Sequence, residues 1–143
     1  MVGSSQGTLS MKPCSSLPGK NPSRACILVA EDELLLRMMI SDELRDAGYD
    51  VIEAFSADEA AAILRSGAQV DLVLSDVRMP GSLDGLGLLT IVKGMSPDLP
   101  VIIMSAHLQP SLAASDGAAQ FLAKPFTMSR VVEAVGTELS KIS

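Results

Sequence analysis

The chain has 143 residues, 48% of them hydrophobic, which suits one domain with a packed core; with 3% aromatics and no Trp, that core has to come from Val, Ile, Leu, Ala and Met. Charge is uneven: residues 1–24 carry Lys12, Lys20 and Arg24 and no acid, and the remainder has 8 basic against 17 acidic residues. So acidic a body excludes direct nucleic-acid binding and suits a cation or a basic partner surface, while no run nears the roughly 18 apolar residues of a membrane span.

Residues 1–24, rich in Ser, Gly and Pro, read as a disordered tail. Residues 26–30 form a short continuous apolar run, the mark of a strand buried on both faces. The two cysteines, Cys14 and Cys26, have no metal-ligand spacing. They read as free thiols in a reducing cytoplasm rather than as a structural disulfide, and no secretory signal is expected. Residues 34–47 have helical spacing, with Leu35, Met38, Met39, Asp42 and Leu44 as an amphipathic stretch and Gly48 as its stop.

A second strand is expected over 49–54. Ser56-Ala57-Asp58-Glu59 is a capping box that opens a helix through Ala60, Ile63 and Leu64. A third strand over 71–75 stops at Asp76. A loop over 77–83 leads to Asp84, which caps a helix through Met95 that is weakened by Gly85, Gly87 and Gly94. Residues 100–104 form a fourth strand, 110–116 a short helix at most, and 119–123 a fifth strand; Thr127 caps a last helix through about Ile142.

Strand and helix alternate five times, so the fold class is α/β, a doubly wound five-stranded parallel sheet. Ligands in such sheets bind beyond the carboxyl ends of the strands. Those ends carry Glu31-Asp32, Asp76, Ser105 and Lys124. Singly, each has an ordinary explanation: acids favour a helix N-terminus, Asp suits turns, and lysines are solvated. Together they specify a chemistry. Clustered carboxylates repel unless a cation neutralises them, and oxygen-only ligands suit Mg²⁺. A carboxylate can act as a nucleophile toward phosphorus, with charge stabilised by the metal, by a lysine and by a hydroxyl donor.

The pieces ILVAEDE, LVLSDVRMPGSLDGLGLL, PVIIMSA and GAAQFLAKPF, in this order, make residues 25–142 resemble the receiver domain of two-component response regulators. The resemblance implies a flavodoxin-like (βα)5 domain over 25–143 with strand order 2-1-3-4-5. It implies that Asp76 is the phosphoacceptor. Glu31 and Asp32 would be the acidic pair, with Asp32 the more direct Mg²⁺ ligand, and Asp76 and the backbone carbonyl of Arg78 would complete the metal set. Ser105 would be the switch hydroxyl, Phe121 the switch aromatic, and Lys124 the site lysine, joined to Pro125 by a cis bond. The donor would be a phosphohistidine on a sensor histidine kinase or histidine phosphotransfer protein. The chain would catalyse only its own phosphorylation and dephosphorylation and would switch binding to an unknown downstream protein.

Two departures stand out. Three residues, Gly81-Ser82-Leu83, separate Pro80 from Asp84-Gly85 where the family usually has two, so a more mobile loop is expected. The stretch from Ser105 to Lys124 is shorter than usual by about three residues, nearly one helical turn, and contains Pro110. Arg78 and His107, two residues beyond Asp76 and Ser105, occupy positions that tune phosphoryl hydrolysis in such domains. The competing readings are a phosphorylation-independent interaction module, or a receiver belonging to a longer regulator with an effector domain.

Overall fold

Short apolar runs make the middle of the sheet. In the computed structural model, which describes residues 24–106 and 117–141, strands β1 (Cys26–Ala30), β3 (Leu72–Asp76) and β4 (Val101–Ser105) are buried at every position. They lie between β2 (Asp50–Ala54) and β5 (Gln120–Ala123) in the order β2-β1-β3-β4-β5, all parallel. The helices are α1 (Leu34–Asp46), α2 (Ala57–Arg65), α3 (Gly85–Met95) and α4 (Met128–Ser140). The doubly wound parallel fold expected from the sequence is the one observed.

Strand periodicity of two divides the apolar residues between two cores. Ile27, Val29, Leu72 and Leu74 meet Ile40 and Leu44 of α1 and Val131 and Val135 of α4. Leu28, Val73 and Ile103 meet α2 and α3 on the opposite face. There, Ala57, Ala60 and Ala61 let α2 lie close to the sheet.

The caps follow the sequence. Ser56 Oγ accepts from the Glu59 N–H at 3.0 Å, and Glu59 reaches back to the Phe55 N–H at 2.7 Å, one residue earlier than the usual reciprocal bond. Asp84 accepts from the Gly87 N–H at 2.8 Å and Thr127 from the Arg130 N–H at 3.1 Å. Each such cap contributes about 1 kcal/mol.

Two expectations are corrected. On α1, Leu35, Met38 and Met39 are exposed, as is Asp42, and the inward stripe is Leu36, Ile40 and Leu44. The segment is apolar around most of its circumference, so spacing alone does not choose the buried face. Cys26, at the start of β1, is disulfide-bonded rather than a free thiol, and Cys14 lies outside the described residues. Metal-ligand spacing says nothing about a bond that closes a longer loop, whose entropic cost rises only slowly with length. The thiol argument for a reducing compartment falls with it. The expected tail up to residue 23, the short helix over 110–116 and His107 also lie outside the described residues.

Register brings the strand ends level. Ala30 pairs with Ala54 and Ser75, Asp76 with Met104, and Ser105 with Ala123. The residues that follow or close these strands therefore share one edge.

Candidate functional site

Glu31 leaves β1 with its backbone fixed from both sides. Its N–H donates to the Ala54 carbonyl at 3.0 Å, and its own carbonyl accepts from Arg37 Nη1 at 2.8 Å. Arg37 is steadied in turn by Glu53 at 3.1 Å. The Glu31 side chain is 1% exposed. Burial pushes its pKa up to about 7; the Glu33 N–H, 3.1 Å from Oε2, opposes this, the charge of Asp76 adds to it, Lys124 lowers it and Asp32 raises it further.

Asp76 is the last residue of β3 and is buried. Ser75 Oγ donates to its carbonyl at 2.9 Å, and the following N–H, of Val77, donates to Met104 at 3.0 Å. The first residue of α3 is packed on this backbone: a Cβ at Gly85 would collide with the Asp76 carbonyl oxygen, and the Gly85 N–H donates to Val77 at 2.8 Å. Gly85 is thus required for close approach. By helix propensity alone, Gly85 only weakens the helix.

Lys124 reaches the cluster from the end of β5. Its Nζ lies 3.0 Å from Asp76 Oδ2 and 3.5 Å from Glu31 Oε1. Burial works against its charge, but the hydrogen bond and charge of Asp76, with those of Glu31, more than offset this and raise its pKa. Its backbone N–H donates to Ser105 at 3.0 Å, and the Lys124–Pro125 bond is cis.

Asp32 is exposed, and one carboxylate oxygen each from Glu31, Asp32 and Asp76 lie within 4.8 Å of one another. Two of the three carboxylates, Glu31 and Asp76, share one ammonium, and Glu31 is buried with a raised pKa. That donor set fits a small hard cation, which carboxylate oxygens and waters would hold.

Four of the expected residues, Glu31, Asp32, Asp76 and Lys124, therefore meet in one cluster. Ser105 is buried at the adjacent strand end. Phe121 is half-buried on β5 opposite Ile103, against the core on the α2–α3 side. Arg78 is exposed on the loop two residues past Asp76. A cavity of about 340 Å³, lined by Leu36, Ala106, Lys124, Pro125 and Phe126, opens beside the lysine. Sequence reasoning missed Arg37 and Gly85 as supports; the Asp84-Gly85 step was the one available signal, a glycine just inside a cap.

Residues 27–136 match the family described as the response regulator receiver domain. The chain belongs to that family. It is 38% identical over 110 residues to the C4-dicarboxylate transport transcriptional regulatory protein DctD of Rhizobium meliloti, covering 75% of this chain and 24% of DctD. It is also 38% identical over 120 residues to the DNA-binding transcriptional regulator NtrC of Salmonella typhimurium, covering 82% of this chain and 25% of NtrC. The receiver thus spans about a quarter of the length of these curated relatives. Among solved structures, the receiver domain of NtrX from Brucella abortus superposes with a TM-score of 0.74 at 36% identity, covering 82% of this chain and 99% of that one. The Francisella response regulator 1452 receiver domain gives 0.78 at 27% identity, covering 84% and 100%.

Proposed function

We propose that this receiver accepts a phosphoryl group on Asp76 from a phosphohistidine, carried by a sensor histidine kinase or a histidine phosphotransfer protein. The observation that carries the reading is the Lys124–Asp76 pair at 3.0 Å inside a cluster of three carboxylates. Mg²⁺, held by Asp32, Asp76 and the backbone carbonyl of Arg78 with Glu31 behind them, would supply neutralisation of phosphoryl charge.

An Asp76 carboxylate oxygen attacks phosphorus, the P–N bond to imidazole breaks, and its electron pair stays with the departing ring. Lys124 orients the acceptor carboxylate beforehand and balances the added charge afterwards. Ser105 donates its hydroxyl to a phosphoryl oxygen. Phosphorylation adds roughly two negative charges to an acidic pocket; Ser105 is drawn toward the phosphoryl group and Phe121 fills the space it leaves, which transmits the change. Nothing is turned over apart from the protein's own phosphoryl group.

The exposed Leu34, Leu35, Met38 and Met39 on the first turns of α1 offer the donor protein an apolar surface beside the site. The donor places the receiver in the cytoplasm; among the described residues no helix is long and apolar enough to cross a membrane. The receiver itself does not contact nucleic acid. The coverage of DctD and NtrC favours a second reading of output, in which the switch acts on further domains of a longer regulator rather than on a separate protein.

The test is intact-mass measurement after incubation with Mg²⁺ and acetyl phosphate. Wild type should gain one phosphoryl group and Asp76→Ala none. Equal labelling of both, or none of wild type, sinks the reading.

A further inference from the structure

The loop from Val77 to Asp84 connects the acceptor strand to α3, and its middle is fastened to a residue far away in sequence. Asp58, in the first turn of α2, accepts two hydrogen bonds from one loop residue: the Ser82 N–H at 3.1 Å on Oδ2 and the Ser82 hydroxyl at 2.9 Å on Oδ1. The neighbouring Gly81 has φ of +109°, and a Cβ there would run into Asp58 Oδ2. A carboxylate that only favoured its own helix N-terminus would not need both oxygens turned onto the loop or a glycine cleared to receive them. The extra loop residue has not left the segment untethered.

The fastening matters because of what lies between the two fixed ends. Val77 is tied to β4 through Met104 and to α3 through Gly85. Ser82 is tied to α2. Arg78, Met79, Pro80 and Gly81 span the gap, with Met79 and Leu83 packed on the core beneath. The position of the Arg78 carbonyl therefore depends on both ends of a short bridge.

We propose that Asp58 is a positioning residue for the cation site: by clamping Ser82 it fixes the loop that carries the Arg78 carbonyl, a ligand in the Mg²⁺ reading. The proposal rests on the reading that Mg²⁺ binds there. Direct hydrogen-bond partners of metal ligands commonly alter metal affinity by about 10- to 100-fold, and Asp58 acts at a further remove, through Ser82. With Met79 and Leu83 also holding the loop, the expected loss is near the lower end, about tenfold.

The experiment is Mg²⁺ titration by calorimetry, and Mn²⁺ titration by electron paramagnetic resonance, on the intact chain well below its melting temperature. Wild type and Asp76→Ala come first: no Asp76-dependent binding in wild type refutes the site reading itself. Given that binding, Asp58→Ala should weaken it about tenfold. Asp58→Asn should stay within about twofold of wild type, because its amide oxygen still accepts from the Ser82 N–H and its NH₂ can donate to the hydroxyl. Ser82→Ala, which keeps the N–H bond, should fall between. A contact that merely stabilises the fold would lower the melting temperature and leave the Kd of the folded protein unchanged. Unchanged affinity in Asp58→Ala therefore overturns the proposal while leaving the site reading intact. Equal weakening in Asp58→Ala and Asp58→Asn also overturns it, since charge rather than the clamp would then be responsible.

Discussion

At the scale of single residues, the site is governed by how closely unlike groups are allowed to approach. Lys124 holds Asp76 and Glu31 together at 3.0 and 3.5 Å, so removing the lysine would leave a nearly dry carboxylate without its cation. Two glycines in α3 show how differently the same substitution acts. At Gly85 a methyl group would strike the carbonyl of Asp76, whereas at Gly94 it would meet nothing within 4 Å. Gly85→Ala should cost about 1–3 kcal/mol through overpacking and slow acetyl phosphate labelling by moving Asp76. Gly94→Ala should stabilise by about 0.5–1 kcal/mol, because alanine suits a helix interior better, and leave labelling unchanged. Urea unfolding of the two variants decides it: shifts of the same sign would mean that the close approach at Asp76 is not under strain in Gly85→Ala.

At the scale of elements, α1 carries an inward mismatch and an outward surplus. Ser41 is fully buried, and its hydroxyl has no hydrogen-bond partner among the described residues. Ser41→Ala should therefore raise stability, by about 1 kcal/mol, by removing a buried unsatisfied group; a lower midpoint in thermal unfolding would refute this. On the outer face, Met38→Glu should leave stability within about 0.5 kcal/mol and acetyl phosphate labelling unchanged, while slowing transfer from a phosphorylated histidine phosphotransfer protein. Equal transfer rates would remove α1 from the docking surface. These two residues also show what a sequence discloses. The central strands were legible because each contains an unbroken run of three or more apolar residues, and three helix starts were legible because Ser56, Asp84 and Thr127 cap them. The buried face of α1 was not, because 34–40 is apolar nearly all round and only the sheet beneath selects Leu36, Ile40 and Leu44. The four site residues stood at strand ends, where topology makes them visible. The unequal burial of adjacent Glu31 and Asp32, and the reach of Asp58 across 24 residues to Ser82, depend on tertiary contacts that no local pattern encodes.

At the scale of the whole molecule, the site cluster contributes to how stability varies with pH, and the sign of that contribution follows from Glu31. Burial holds its pKa at about 7 in the fold, against an ordinary value of 4.5. Between those values the folded state binds more protons than the unfolded state, so stability falls as pH rises through this window. The favourable contribution is complete at low pH and has been lost once pH passes about 7, the reverse of a carboxylate whose pKa folding depresses. The raised pKa of Lys124 acts only in the alkaline range, above the ordinary value of 10.5, and does not enter this window. A divalent cation needs the deprotonated carboxylate, so its binding should tighten as pH rises toward 7 and then level off. At about 100 times its Kd it would add about 2.7 kcal/mol of stability. Thermal unfolding in a chelator from about pH 5 to pH 8 should thus show the wild-type midpoint falling relative to Glu31→Gln, whose neutral amide cannot titrate. Mg²⁺ should raise the wild-type midpoint more at pH 8 than at pH 5. Parallel curves for the two proteins in chelator would show that Glu31 does not set the slope. An Mg²⁺ effect independent of pH would show that the cation binds without displacing a proton from it.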